Sequence, residues 1–289
     1  MSIRCLFAVV AALLCPLSAV QAAPSVQELR PSSPWRMTYN NGSCDLAREF
    51  GEGNDKIIVL FTRLEPGVTF NLRLFGRPFK SSDAFQNVRF AFGDVPAAHP
   101  LRNRLSGTIG ATPFVDLGSL TLAGPRPEGD AANPLITPEF EARVNKMTIC
   151  PHRGSIYRLR IGSMRATMQA MRTCTDDMVR SWGYDPAVLA TALRPVAAIG
   201  DPGSWLGSDD YPSQQLYAGE LDVVEFRLDV DETGKATGCA TLRRAGDEAF
   251  ARVTCKLMMR RARFVPALDK DGNPAKSYYI NRVNWLQGL

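Results

Sequence analysis

Histidine is scarce in this sequence, which has only two in 289 residues. His99 and His152 are far apart and each stands beside a proline, so Ser-His or Cys-His catalysis has little support. No CxxC pair and no Cys/His spacing of a zinc site occurs. The GxSxG, P-loop and dinucleotide-binding fingerprints are missing too. The sequence therefore predicts no catalytic residue, no metal site and no cofactor.

Two stretches resemble functional motifs but lack a residue that each motif requires. "FVDLGS" places Asp116 after apolar residues as in aspartic proteases, but Leu117 replaces the hydroxyl residue that supports such a site. "DVDETG" begins like a calcium loop, whose twelfth position should be a bidentate Glu and is Ala240 here. An enzyme seated in residues 30–165 is the least favoured hypothesis.

Long apolar runs are also rare, and the one at the start of the chain is short. An apolar stretch from Cys5 to Leu14 follows Arg4, and small residues ending in Val20-Gln21-Ala22 come next, a layout typical of a cleaved secretory signal. The stretch is shorter than the roughly 18–20 residues of a spanning helix, and Pro16 interrupts it. We expect residues 1–22 to be a signal peptide, and an uncleaved membrane anchor is the alternative.

Removal of this segment leaves an odd number of cysteines. They are Cys44, Cys150, Cys174, Cys239 and Cys255. An exported chain can form disulfides, and an odd count leaves one thiol free or paired outside the chain. The composition, 45% hydrophobic and 22% charged with a net charge of +5, is that of a folded protein and does not demand a nucleic-acid partner.

Residues 24–194 are expected to form a β-rich domain closed by helices. Extended runs flank turns at Asn40-Asn41-Gly42 and Glu65-Pro66-Gly67. Residues 69–74 alternate polar and apolar side chains as a half-buried strand does. Further strands are expected at 87–92, 114–122, 146–149 and 156–161.

A helix is predicted from Ser163 as its N-cap to Trp182, with Gly183 as its C-terminal stop. One face carries four methionines and a cysteine: Met164, Met168, Met171, Cys174 and Met178. We interpret this face as packing on the sheet. A methionine-rich copper site is the less favoured alternative, because methionine commonly fills cores. Cys174 on this face can reach a strand cysteine, and we favour Cys44 as its partner. A shorter helix follows from Asp185-Pro186 to about Leu193.

The last third of the chain is predicted to hold a linker and a small domain. Residues 195–212, rich in Pro, Gly, Ser and Asp, are the expected linker, and 213–289 the domain. Alternation from Val224 to Val230 and a turn from Asp231 to Lys235 predict a hairpin, whose second strand ends near Leu242.

A helix and a last strand complete this domain in the sequence. Asp247 is the expected N-cap of a helix that ends in three arginines, Arg260, Arg261 and Arg263, where the helix dipole favours cations. Pro266 stops the helix, Asp271-Gly272 turns the chain, and "AKSYYINRVNW" is expected to be the final strand.

This ordered set resembles the C-terminal domain of TonB, the periplasmic energy transducer of Gram-negative bacteria, over about residues 205–287. The matching features are Tyr211-Pro212, the strand and turn from Val224 to Gly234, Arg263-Phe264-x-Pro266-Ala267, Asp271-Gly272-x-Pro274, and Val283-Asn284-Trp285. The resemblance implies a small ββαβ domain with a three-stranded antiparallel sheet. Together with the β-rich domain and its packed helix, expected from the residue pattern, this predicts an α+β protein.

In that family the last strand lies at the sheet edge and pairs with an extended segment, the TonB box, of an outer-membrane receptor by β-strand addition. By resemblance, Lys276 to Trp285 is the docking strand and Tyr211-Pro212 lies in the flanking segment. The implied partner-binding residues are Tyr211, Pro212, Lys276, Ser277, Tyr278, Tyr279, Ile280, Asn281, Arg282 and Val283. The alternative interpretation is that Tyr278, Tyr279 and Trp285 only pack in the core and at the edge.

The sequence departs from TonB transducers in its N-terminal half. Its apolar N-terminus has no histidine and looks cleavable, and a β-rich domain replaces the long Pro/Lys/Glu-rich spacer. We therefore predict a non-enzymatic periplasmic protein that binds TonB boxes of outer-membrane receptors. If the N-terminus remains as an inner-membrane anchor facing the periplasm, a transducer that works with ExbB–ExbD is the alternative.

Two further expectations concern this domain. The same fold without energy transduction would suit an envelope scaffolding protein, and a free edge strand also allows a homodimer. Cys239 and Cys255 bracket the second strand and the helix, so we expect a disulfide between them that stabilises the domain by a few kcal/mol.

Overall fold

The computed structural model describes residues 25–40, 42–80, 87–94, 100–102, 105–125, 135–151, 154–244 and 246–286. The predicted signal segment 1–22, both histidines and Asn41 of the first predicted turn lie outside these residues. Within the described ranges, no helix is both long and apolar enough to cross a membrane. The chain is a mixed α+β protein dominated by strands, as predicted.

Two sheets form the N-terminal part of the protein. Their strands are β1 (Val26–Leu29), β2 (Arg36–Asn40), β3 (Ser43–Phe50), β4 (Ile57–Arg63), β5 (Phe70–Phe75), β6 (Asn87–Phe92), β7 (Pro100–Arg102), β8 (Leu105–Ile109), β9 (Thr112–Thr121), β10 (Gly124–Pro125), β11 (Met147–Cys150) and β12 (Ile156–Leu159). The larger sheet has the order β10-β9-β5-β4-β3-β2, with β8 also paired to β9. The smaller sheet has the order β1-β12-β11-β6-β7.

The side-chain alternation of these strands builds one core between the two sheets and a helix. In β5, Phe70, Leu72 and Leu74 are buried while the residues between them are half-buried. The phenylalanines of β4, β5 and β6 meet there, with the rings of Phe61 and Phe70 4.7 Å apart. The sequence predicts these strands because apolar side chains at every second position need a common interior.

The long helix of this part, α2 (Arg165–Ser181), follows a short helix, α1 (Pro138–Arg143). Met164, Met168, Met171 and Met178 are fully buried in the N-terminal core. The predicted start at Ser163 is wrong, because Met164 holds the N-cap position without a side-chain cap. The Met164 amide donates to the carbonyls of Glu141 and Val144, and these contacts hold the start of α2 against α1.

Cys44 of β3 and Cys174 of α2 form a disulfide, with Cα atoms 6.1 Å apart and 130 residues between them in sequence. This is the pairing favoured from the sequence, and it ties the helix to the larger sheet. Cys150 at the end of β11 is a free, half-buried thiol.

A second, smaller core belongs to the C-terminal part. Its elements are α4 (Ser213–Ala218), β14 (Asp222–Val230), β15 (Ala236–Arg243), α5 (Glu248–Arg261), β16 (Phe264–Val265), β17 (Ala267–Leu268), β18 (Pro274–Ala275) and β19 (Ser277–Trp285). The main sheet has the order β15-β14-β19, and both pairings are antiparallel. Val224, Phe226, Leu228 and Val230 of β14 are buried on the α5 side.

Turns and a disulfide fix the connections of this sheet. Gly234 has φ +82°, which the tight β14–β15 turn requires. Asp247 caps α5 by accepting a hydrogen bond from the Ala249 amide. Cys239 of β15 and Cys255 of α5 form the second disulfide, with Cα atoms 5.6 Å apart.

The segment predicted to be a linker is folded against this C-terminal core. Helix α3 (Pro186–Ala190) ends about three residues earlier than predicted, and β13 (Ala197–Ala198) then pairs with β16. Trp205 is only 6% exposed and packs on Phe264 and Tyr279. The Pro/Gly/Ser composition of this segment predicts a loose connection, but the buried Trp205 and the two residue pairs between β13 and β16 fix it on the core.

Candidate functional site

The last strand, β19, lies at an edge of the C-terminal sheet. It pairs with β14 over nine residue pairs, from Asp222–Trp285 to Val230–Ser277. Among the described residues, no other strand pairs with it. The Arg282 amide donates to its neighbour's side chain, Asn281 Oδ1, at 2.8 Å rather than to β14. This amide therefore faces outward, as every second amide of an edge strand does.

One face of β19 belongs to the core beneath α5. Tyr279 packs on Phe264, with ring centroids 4.9 Å apart, and its hydroxyl accepts a hydrogen bond from Asn281 Nδ2 at 2.7 Å. Trp285 is buried, and its Nε1 donates to Thr254 Oγ1 at 3.1 Å. These side chains hold the strand in place, so they are not free to contact a ligand.

The predicted flanking residues lie at the end of this strand. The Tyr211 ring packs edge-on against Phe250 and Trp285, at 5.5 Å from each. Its hydroxyl donates to the Glu220 carbonyl. Pro212 holds the N-cap position of α4. Lys276 precedes the first residue of β19. Tyr211 therefore supports the strand end by packing, which the sequence did not indicate.

The opposite face of the C-terminal sheet is covered by the N-terminal part. The Tyr278 ring lies between Trp182 and Tyr184, 5.3 Å from each. The Arg227 guanidinium lies 4.4 Å from the centre of the Trp182 ring, a cation–π contact. Burial raises the pKa of the Tyr278 hydroxyl well above its ordinary value. We call Trp182, Tyr184, Arg227 and Tyr278 the aromatic clamp.

Two more contacts join the parts beside the aromatic clamp. The Tyr184 hydroxyl lies 2.9 Å from both Asp229 Oδ1 and the Ser277 carbonyl, and shares its proton between them. Burial first, and Asp229 second, raise the pKa of this hydroxyl. Gly42 approaches β15 so closely that a Cβ there would lie 2.6 Å from the Leu242 Cα. This interface was not predicted. The sequence signal for it is the Trp182-Gly183-Tyr184 triplet, which follows an amphipathic helix.

A cleft of about 300 Å³ opens between β19 and the larger N-terminal sheet. One wall is formed by Ile280, Asn281 and Arg282 of β19 with Glu225 of β14. The other wall is formed by the ends of β4, β5 and β9 and the β4–β5 connection: Thr62, Arg63, Leu64, Glu65, Thr69, Phe70, Asn71 and Ser119. We call this space the edge cleft.

One residue of the N-terminal wall of the edge cleft, Arg63, is a buried cation. Arg63 is 4% exposed, and its Nε and Nη1 have no hydrogen-bond partner among the described residues. Its Nη2 contacts the Val68 carbonyl and Met168 Sδ. Burial lowers the pKa of Arg63 to about 10, with the nearby Arg172 adding to the effect.

The motif-like stretches have structural roles. Asp116 is buried, pairs with Arg73 Nε at 2.8 Å and accepts from the Gly118 amide at 2.7 Å, so it is a structural carboxylate. Asp231 accepts from the amides of Thr233 and Lys235 and shapes the hairpin turn. In the part of the chain that the structure describes, no group of three or more His, Cys, Asp or Glu side chains is placed to hold a metal ion.

Residues 208–286 match the family model described as Gram-negative bacterial TonB protein C-terminal. This match confirms the resemblance that the sequence indicates over about residues 205–287. The match spans under a third of the chain and begins after the aromatic residues Trp182 and Tyr184. It covers all of α4, β14, β15, α5 and β19. TonB C-terminal domains are non-enzymatic interaction domains of Gram-negative envelope transport. Comparisons with curated proteins and with solved structures give no match.

Proposed function

We propose that this protein binds an extended segment, the TonB box, of outer-membrane receptors by adding it as a strand to the free edge of β19. The single observation that carries the proposal is a nine-residue strand at the edge of the sheet in a TonB C-terminal domain. Strand addition gives affinity through main-chain hydrogen bonds, which an edge strand offers along its whole length.

The geometry of β19 supports this mode of binding over side-chain recognition alone. Tyr279 and Trp285 are held in the core, so the groups left for a partner are the outward amides and carbonyls and the half-buried Ile280 and Arg282. The Asn281 side chain caps the Arg282 amide and so keeps this outward amide satisfied while the edge is free. A partner strand replaces that local hydrogen bond with one of its own.

The cellular compartment that we propose for this binding is based on the matched family and on the N-terminal sequence. TonB proteins act in the envelope of Gram-negative bacteria. We place the protein in the periplasm after removal of residues 1–22. An uncleaved N-terminus would make it an inner-membrane protein facing the periplasm, with ExbB–ExbD as its partners. Self-pairing of β19 in a homodimer would compete with the receptor for the same edge.

Titration of the isotope-labelled protein with TonB-box peptides from receptors of the same organism tests the proposal. We expect NMR shifts in residues 278–284 and slower amide exchange there, because outward amides gain partners. Amides of β15, the other edge of the same sheet, are the internal control. A folded protein that gives no shifts in β19 at millimolar peptide would refute receptor binding, and envelope scaffolding would become the leading hypothesis.

A proline variant tests whether the main chain makes the contact. Residue 280 has the same orientation in β19 as residue 282, so its amide faces away from β14. We expect Ile280→Pro to abolish peptide binding while the disulfide-linked domain stays folded, as followed by its denaturation midpoint. Unchanged binding would mean that the outward amides do not carry the interaction.

A further inference from the structure

We propose that the Cys44–Cys174 disulfide is a thiol-exchange site, at which a low-molecular-weight thiol attacks Cys174 and the buried Arg63 guanidinium stabilises the Cys44 thiolate that leaves. This inference concerns the N-terminal domain and goes beyond the addition of a strand to β19. Either proposal can therefore fail without the other.

The first observation is a groove that gives access to one side of this disulfide. The groove lies between β2 and α2 and has a volume of about 640 Å³. Its mostly apolar wall includes Met37, Tyr39, Ala170, Cys174 and Asp177. Cys174 is half-buried, whereas Cys44 is fully buried in the N-terminal core. A space of this size can hold a small thiol, and a thiolate that enters it meets Cys174. We call this space the thiol groove.

The second observation is an unpaired cation beside Cys44. Cys44 of β3 and Arg63 of β4 are direct cross-strand partners, so their Cβ atoms lie about 4.5–5.5 Å apart on the same face of the sheet. Arg63 Nη2 lies 3.7 Å from Met168 Sδ in the core. Nε and Nη1 of Arg63 have no hydrogen-bond partner among the described residues. A buried guanidinium with two unused donors costs stability, and a thiolate at Cys44 would supply the missing acceptor.

The buried carboxylate nearest to this group in the electrostatics is already engaged. Glu141 of α1 accepts hydrogen bonds from Arg172 Nη1 at 2.6 Å and Nη2 at 3.0 Å. Burial lowers the pKa of Arg63 to about 10, and the attraction of Glu141 is opposed by the repulsion of Arg172. Apolar surroundings raise the pKa of a thiol, whereas a neighbouring arginine lowers it. Arg63 therefore favours departure of the buried Cys44 as a thiolate.

The exchange takes place in two steps. In the first, a thiolate forms a bond with Cys174 Sγ, the Cys44–Cys174 bond breaks, and its electron pair leaves on Cys44 Sγ beside Arg63. In the second, another thiolate attacks the sulfur of the bound thiol and releases Cys174, which takes a proton from water. Two thiols are oxidised to one disulfide, and the protein disulfide is reduced by two electrons. The reaction unlinks α2 from β3.

The experiment measures the reaction of the folded full-length protein with reduced glutathione. A Cys150→Ser background removes the free thiol of the described residues. Samples are quenched with acid at intervals, free thiols are alkylated, and mass spectrometry locates the glutathione adduct. We expect the adduct on Cys174 and not on Cys44, because the groove reaches the half-buried cysteine.

The second disulfide is an internal reference in the same samples. Cys239 and Cys255 are both half-buried, and the cross-strand partner of Cys239 is Leu228 rather than a cation. We expect the Cys44–Cys174 disulfide to react faster than this reference, although Cys44 is the more buried cysteine.

Two pairs of variants test the cation and the groove. Arg63→Met removes the charge and is expected to slow the exchange about tenfold, whereas Arg63→Lys should retain more of the rate. A loosened fold would expose the disulfide and speed the exchange, so damage to the fold predicts the opposite sign. Ala170→Phe, one turn before Cys174, is expected to cover the groove and slow the exchange. Ala166→Phe, exposed but outside the groove wall, should leave the rate unchanged.

Three results would overturn the inference. They are an adduct on Cys44, exchange no faster than at the reference disulfide, and an Arg63→Met rate equal to or above that of the parent protein. If Arg63→Met does not fold, the position of the adduct and the two alanine variants decide. Equal rates for Ala170→Phe and Ala166→Phe would exclude the thiol groove as the route and overturn the inference as well.

Discussion

The contact between Trp182 at the end of α2 and Arg227 of β14 is expected to stabilise the interface between the two domains. Replacing both residues by alanine, singly and together, tests this. The guanidinium lies 4.4 Å from the ring centre and Arg227 is only 9% exposed, so the contact is largely removed from water. Cation–π contacts of this kind contribute up to about 2 kcal/mol. The Arg227 Nε also lies 3.0 Å from Asp229 Oδ1. The positive charge of Arg227 therefore interacts with this carboxylate as well as with the Trp182 ring. We expect a coupling free energy of about 1–2 kcal/mol.

The assay is a double-mutant cycle in the free energy of unfolding, measured with urea under oxidising conditions so that both disulfides remain. The cycle subtracts the cost of leaving Asp229 unpaired, because that cost occurs in both variants that lack Arg227. A control cycle pairs Trp182 with Arg252, which lies on the exposed side of α5, and its effects should add within about 0.5 kcal/mol. A coupling near zero for Trp182 and Arg227 would refute the clamp and, with it, the two-walled edge cleft.

Two further predictions concern a turn and a titrating side chain. Gly234→Ala is expected to destabilise the protein by more than about 2 kcal/mol, because a Cβ there would lie 2.0 Å from the Phe264 carbonyl oxygen. Gly272→Ala, at a similar positive φ in open space, should cost only about 1 kcal/mol in the same denaturation assay, and equal losses would contradict the steric argument. Burial raises the pKa of Tyr278, so above about pH 10 the unfolded chain loses this proton first and stability falls as pH rises. Tyr278→Phe should make that fall shallower in melting curves at several pH values, with exposed Tyr217→Phe as the matched control, and an unchanged slope would argue against a buried hydroxyl.

Local patterns predicted the elements of this protein well, because they depend on neighbours in the chain. The alternation from Val224 to Val230 and the methionine face of α2 each predict side chains that are buried on one side of the element. In the structure these side chains are buried. Asp247 caps α5, and Gly183 ends α2 with φ +89°. The start of α2 was missed by one residue, because the Met164 amide is held by the Glu141 and Val144 carbonyls, a tertiary contact that no local pattern reports.

The candidate site was likewise predictable from local sequence only in part. The match to the TonB C-terminal domain rests on a sequence order that stays recognisable from Tyr211 to Trp285. The aromatic clamp and the edge cleft join residues that are far apart in the chain, such as Asn71 and Arg282. Their side chains show no local pattern, because a polar residue on the outer face of a strand looks the same whether it meets water or another domain.

The disulfide between Cys44 and Cys174 turns most of the N-terminal domain into a covalent ring. A protease that cuts the chain once anywhere between these residues leaves the two pieces joined until the bond is reduced. The ring also closes beside the C-terminal domain, since Gly42 contacts β15 just before its first cysteine and Trp182 contacts Arg227 just after its second. In a protein that is cut once but still oxidised, the disulfide therefore keeps the Gly42 contact and the Trp182 contact covalently linked beside the C-terminal sheet. Reduction removes this link between them.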